Sequence, residues 1–252
     1  MPPCIWTCER KATSDEDVLP IWLRRHLNLG VKGKRRFQRR NILVPGAPDP
    51  THPVPERVMN AYYVKARKTV CVPCNTGWMS DIQKATKPIM TPLVDNHPTT
   101  LTPTGQAILG TWAGMTGVTA EYACGTDVEE QRRRAIYQNS RHEPGPNTLV
   151  YLTHIDPVEI PSTLGCTRMR TKQNHRPVVY CVIFTAGSLG FVIFQGALRE
   201  PQRTRLHARS ASLIPVWPIG TLENRVWPPR QSIDVRGMHR LAQEVLEGRA
   251  SH

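Results

Sequence analysis

Cys71-Val72-Pro73-Cys74-Asn75-Thr76-Gly77-Trp78-Met79-Ser80 is the stretch that decides the fold. Two cysteines separated by two residues make a knuckle that can offer two thiolates to one metal ion. A second pair, Cys4 and Cys8 in Cys4-Ile5-Trp6-Thr7-Cys8, lies far upstream with a wider, three-residue spacer. Zinc takes four N or S ligands tetrahedrally and favours sulfur, so Cys4, Cys8, Cys71 and Cys74 are read as a structural Zn²⁺ site. The chain carries seven cysteines, an odd number, and its N-terminus lacks a basic segment followed by an apolar one. Both features argue against a disulfide framework and lead us to expect a reducing, cytoplasmic compartment.

The residues after the second knuckle repeat with helical spacing. Trp78, Ile82, Ala85 and Ile89 predict a helix over 77–90, with Pro88 ending it. A knuckle feeding a helix, with its partner knuckle upstream, is a treble-clef arrangement. Between the knuckles, Asp15, Glu16 and Asp17 precede Val18-Leu19-Pro20, which reads as a short strand or turn followed by a brief helix at 21–28. Residues 44–57 hold five prolines and make a stiff loop. Residues 58–70 read as a strand pair or an extended segment, with Tyr62, Tyr63 and Val64 as their apolar content, and 91–103 as a linker.

Beyond the linker the pattern changes. Ile108, Trp112, Met115, Thr119 and Tyr122 predict an amphipathic helix over 104–123, and 127–138 a second helix. Five strand candidates follow: 149–152, 167–172, 178–185, 189–195 and 212–216. Residues 178–194 carry no charge, yet Ala186-Gly187-Ser188 at their centre indicates a hairpin rather than a membrane span. A last helix is predicted over 235–247, with Met238, Leu241, Val245 and Leu246 facing inward. Cys124 and Cys181 read as core residues. The expected fold is therefore α+β: a zinc-binding module over 1–100, then an α+β domain with an antiparallel sheet over 101–252.

The net charge is +13, which favours a polyanionic partner, most simply nucleic acid. Much of it sits in one block: Arg24, Arg25, Lys32, Lys34, Arg35, Arg36, Arg39 and Arg40, with no acidic residue between Asp17 and Asp49. Such a block repels itself unless phosphate neutralises it, so it reads as a nucleic-acid contact; it also suits a solvated loop.

The Cys-Val-Pro-Cys-Asn-Thr-Gly-Trp-Met-Ser string, the upstream knuckle and the acidic-Val-Leu-Pro-Ile-Trp-Leu segment at 15–23 together resemble HNH-endonuclease-like proteins of actinobacteria and their phages. The downstream region, with its Trp-Pro segments, is similar to the C-terminal part of those proteins. The resemblance implies a ββα unit scaffolded by zinc, with a separate catalytic Mg²⁺ or Mn²⁺. It implies that Glu16 is the acidic metal ligand and Asn75 the ligand from the helix. The family's general-base histidine falls at Asp17. An aspartate has an ordinary pKa near 3.9 and is a weak base at neutral pH, though it can be a hard-oxygen ligand. His26 and His52 are other candidate bases, though each reads more simply as a loop histidine with no role, since a base must lie within hydrogen-bond reach of its water. The acidic trio also suits a turn that caps the following helix, and Asn75 a purely structural bond within its knuckle.

Two functions follow. One is an HNH-type, metal-dependent DNA endonuclease, with Glu16, Asp17 and Asn75 at its site. The other is a catalytically inactive, zinc-stabilised module that binds nucleic acid or a host protein, as a phage-encoded inhibitor would. Neither needs a membrane. The sequence leaves the oligomeric state open.

Overall fold

The computed structural model describes residues 1–27, 36–42, 57–58, 64–123, 130–138, 143–145, 147–155, 164–170, 177–196, 198–218 and 223–247. The N-terminal part begins with the first cysteine loop and runs into strand β1 (Ser14–Asp17) and helix α1 (Ile21–His26). Strand β4 (Lys65–Val70) returns antiparallel to β1, and Val72–Cys74 (α2) opens a helical stretch that is kinked at Gly77. A wide turn, Asn75–Met79, then leads into α3 (Ser80–Val94). Knuckle, short strand, extended segment and knuckle-to-helix thus follow one another as the sequence predicts, and the structure pairs the two strands with each other.

Pro88 does not end α3. The helix continues through Pro88 and Pro92 to Val94. A proline removes one N–H and crowds the carbonyl four residues back. Here Pro88 is exposed, so that carbonyl lies on the solvent side. Burial of Met90, Leu93 and Val94 carries the helix past the break, which is packing overriding propensity. The buried face is also rotated from the expected one: Thr86 and Met90 are buried, and Ala85 is exposed. The expected linker over 91–103 is instead the end of α3 and strand β5 (Thr99–Leu101), which pairs with β11 (Arg225–Trp227).

Helix α4 (Pro103–Ala123) is not amphipathic. Gly105, Gln106 and every residue from Leu109 through Glu121 are buried, so its sides are covered all round, with Ala107 and Ile108 half-buried. It lies between the N-terminal elements α3 and β4 on one side and the large sheet on the other. Glycines let neighbours approach closely: a Cβ at Gly114 would sit 2.6 Å from the Pro144 Cα. Helix α5 (Glu130–Gln138) follows, and Arg133 Nη1 donates to the Ile5 carbonyl in the first cysteine loop at 2.9 Å.

The sheet contains β6 (Thr148–His154), β7 (Leu164–Arg170), β8 (Pro177–Ala186), β9 (Leu189–Gly196) and β10 (Ile214–Trp217). Two strands join it from between the cysteine pairs: β2 (Arg36–Ile42) and β3 (Arg57–Val58). The order is β10-β6-β9-β8-β7-β2-β3, antiparallel throughout except for β2 against β7. The uncharged run is the β8–β9 hairpin, with Gly187 at φ +57°, the left-handed conformation that a glycine takes without steric cost. Both faces of this hairpin are buried. Val182, Phe184 and Phe191 face the α4 side. Cys181, Ile183 and Phe194 face helices α6 (Glu200–Ala208) and α7 (Val235–Glu247), where Met238, Leu241 and Val245 complete a second core. That two-sided burial explains a continuous apolar run in place of alternation. The α4-side core is continuous from Cys4 and Trp6 to Phe191 and Trp227. Cys124 and the side chains of Cys166 and Leu246 lie outside the described residues. No helix among the described residues is long and apolar enough to cross a membrane.

Candidate metal centre and the strand–helix junction

The four knuckle cysteines converge. Their sulfurs all lie within 4.8 Å of one another, with Cys8 Sγ 3.5 Å from Cys71 Sγ and 3.6 Å from Cys74 Sγ. Sulfurs at the corners of a tetrahedron with 2.3 Å bonds stand about 3.8 Å apart. The donor set and its spacing therefore fit a metal ion such as zinc. The extra residue in the first knuckle is absorbed by a tight turn in which Thr7 takes a positive φ of 55°, and Cys4 N bonds the Arg10 carbonyl at 2.8 Å. The Cys71 amide also donates to Cys4 Sγ at 3.3 Å.

Without a cation the thiols compete for protons. A hydrogen bond with Cys74 holds Cys4 down to about 5, and the same bond pushes Cys74 up. Burial pushes Cys8 up. A bound metal removes that conflict by taking all four as thiolates. The surrounding packing is tight. Trp6 is fully buried, meets Trp78 edge-on at 5.0 Å, and donates its indole N–H to Met79 Sδ at 3.1 Å.

The other predicted site residues lie where β1 meets the start of the helical stretch, and each has its own partner. Glu16 is buried and accepts a hydrogen bond from Gln83 Nε2 of α3 at 3.0 Å. Burial, reinforced by the neighbouring charge of Asp17, raises its carboxyl to about 7, against the opposing pull of Gln83 and Lys65. Asp17 forms ion pairs with Arg24 at 3.3 Å and Lys65 at 3.7 Å. Asn75 Nδ2 donates to Ser14 Oγ at 2.7 Å and to the Asp15 carbonyl at 3.1 Å. Asp15 accepts from the Lys68 amide at 2.9 Å, where β4 takes up extra residues opposite β1. His26 Nε2 lies 2.7 Å from Asp95 Oδ1 and ties α1 to the end of α3.

Of the basic block, Arg24 is the partner of Asp17, and Arg25 is exposed on α1. Arg36, Arg39 and Arg40 lie in β2, so this part of the block is sheet rather than free loop. Lys32, Lys34, Arg35 and His52 lie outside the described residues. Reading the block by density alone passed over Lys65, Arg67 and Lys68. All three are exposed along β4, and the Lys65-Ala66-Arg67-Lys68 string was the signal.

Compared with protein-family models, curated proteins and solved structures, the chain matches none.

Proposed function

We propose that the N-terminal part is an HNH-like, treble-clef zinc module that binds nucleic acid, DNA first, without hydrolysing it. Cys4, Cys8, Cys71 and Cys74 would hold Zn²⁺ as a purely structural ion. The observation that carries the reading is the engagement of Asp17 by Arg24 and Lys65. At the position where the resemblance implies a general base, the chain holds a carboxylate committed to two cations, and aspartate is a poor base at neutral pH. Glu16 and Asn75 likewise meet groups of the protein itself. Binding to phosphate is supported by the net charge of +13 and by the exposed Arg25, Lys65, Arg67 and Lys68 beside this junction.

A second reading, an active endonuclease, is favoured by one relation. Asn75 bonds Ser14, two residues before Glu16 on the same strand, so both implied ligands border one junction. Glu16 and Asn75 would then hold Mg²⁺ or Mn²⁺, which would supply charge stabilisation to the phosphoryl oxygens.

The test uses zinc-loaded protein and supercoiled plasmid with Mg²⁺ or Mn²⁺, beside fluorescence anisotropy on labelled DNA. The expected result is salt-dependent binding without cleavage, weakened when Lys65, Arg67 and Lys68 are together changed to Ala. Metal-dependent cutting that disappears in both Glu16→Gln and Asn75→Ala would establish the endonuclease instead.

A further inference from the structure

A cleft of about 930 Å³, with no residue of the cysteine loops among its described lining, opens at the β10 edge of the large sheet. Its walls come from β6, α6, β10, and β11 with the segment after it. Its chemistry is one-sided. Arg203 and His207 enter from α6, Arg225 from β11 and Arg230 from beyond it, and among the described residues no carboxylate lines the cleft. Glu223 stands 3.7 Å from Arg225, but Arg203, His207 and Arg230 have no acidic partner among the described residues.

Between the cations the walls are aromatic and apolar. Tyr151 is buried at the base on β6, and Trp217 is partly buried at the end of β10. Trp217 is backed by the buried helix α4: a Cβ at Gly110 would come within 3.0 Å of the Trp217 Cβ. The indole is therefore fixed by packing before any ligand arrives. A partly buried aromatic ring on a rigid backing, beside four basic side chains of which only Arg225 has a neighbouring carboxylate among the described residues, suits a ligand with both a flat ring and a phosphate. Base-on-aromatic stacking tolerates any base, and arginine matches phosphate geometry.

We propose that this cleft binds a nucleotide, a phosphate joined to a planar base, taken as a free mononucleotide or as one unit of a single strand. The site is independent of the metal centre and of whether the N-terminal module binds DNA.

Titration calorimetry on the full chain tests it with AMP, adenosine, ribose 5-phosphate and a short oligothymidylate. AMP is expected to bind with at least a roughly tenfold advantage over adenosine, which lacks the phosphate, and over ribose 5-phosphate, which lacks the base. Arg230→Glu, at an exposed position and with its fold checked by circular dichroism, is expected to weaken AMP by about tenfold or more, and His207→Ala to weaken it less. An oligonucleotide no tighter than AMP supports the free mononucleotide. One that is much tighter, competes with AMP and is weakened by Arg230→Glu supports the strand unit. No binding of AMP, or AMP binding unchanged in Arg230→Glu, overturns the proposal, even if the oligonucleotide still binds through the N-terminal module.

Discussion

Asn75 Nδ2 donates to Ser14 Oγ at 2.7 Å, joining the residue after the second knuckle to the first residue of β1 across sixty-one positions of sequence. The same amide reaches the Asp15 carbonyl at 3.1 Å. One side chain therefore fixes the strand against the helix start. It does so where β1 and β4 lose regular register and Lys68 takes a positive φ of 47°. Replacing it leaves the Asp15 carbonyl only the longer bond from Ser14 Oγ at 3.3 Å and frees the strand from the helix start. Asn75→Ala is expected to lower unfolding free energy by about 1–2 kcal/mol, with metal content unchanged. Denaturant unfolding beside metal analysis checks both halves. A loss of bound metal equal to that of a cysteine variant would mean that Asn75 shapes the metal centre itself.

The cysteine cluster makes a sharper prediction. Purified protein should carry one zinc per chain by elemental analysis, and Cys74→Ser should lose it. A strong chelator should then lower the unfolding midpoint of the wild type markedly, because metal held only by the folded state adds its binding free energy to stability. The loss is expected to be on the order of several kcal/mol. It should extend beyond the knuckles, since Trp6 and Met79 lie in the same core as α4 and the sheet. A chelator that strips the metal without moving the midpoint would show that the cluster is dispensable for the fold.

How much of this was legible in the sequence depended on how local the cause was. Both knuckles, the β8–β9 hairpin and α7 announce themselves through spacing, a central glycine turn and a 3.6-residue stripe. The role of β2 does not. Arg36-Phe37-Gln38-Arg39-Arg40-Asn41-Ile42 has no apolar alternation, and it is a strand because β7 pairs with it from far along the chain. Nor does the sequence reveal the all-round burial of α4. Its large residues mark one face, and the second contact surface is made of Gly110, Gly114, Gly117 and small side chains. At the candidate site, residue types were readable but partners were not. That Glu16 meets Gln83, and Asp17 meets Arg24 and Lys65, depends on how α3, α1 and β4 are brought onto β1.

Gly114 tests the packing of α4 directly. In an exposed helix, Gly→Ala stabilises by up to about 1 kcal/mol. Here the added Cβ would meet Pro144 at 2.5 Å from its Cβ and 2.6 Å from its Cα, and backbone cannot swing aside as a long side chain can. Gly114→Ala is therefore expected to destabilise by about 1–3 kcal/mol, as overpacking does. Thermal unfolding measures this, with Gly117→Ala as the comparison. At Gly117 the nearest atom to a new Cβ is the Gln195 amide nitrogen at 3.5 Å, an ordinary contact, so that variant should cost much less. Equal melting of the two variants would contradict the tight approach of α4 to the 143–145 segment.

Glu16 gives a pH signature whose sign follows from its surroundings. Burial and the adjacent Asp17 raise its carboxyl from the ordinary 4.5 to about 7 in the folded protein. Between those values the folded chain holds a proton at Glu16 that the unfolded chain has released. Stability then falls as pH rises through that window, because the native state binds more protons there. Below about 4.5 both states are protonated and the penalty vanishes; above about 7 it is fully present. Glu16→Gln keeps a polar group of nearly the same shape beside Gln83 and removes the charge. It is expected to stabilise the protein at pH 8 by on the order of 2 kcal/mol and to have little effect near pH 4. Denaturant unfolding of both proteins from pH 4 to pH 8 reads the difference. If Glu16→Gln were instead destabilising at pH 8, the ionised carboxylate would be making a favourable interaction in the fold, and its burial against α3 would not be the dominant influence on it.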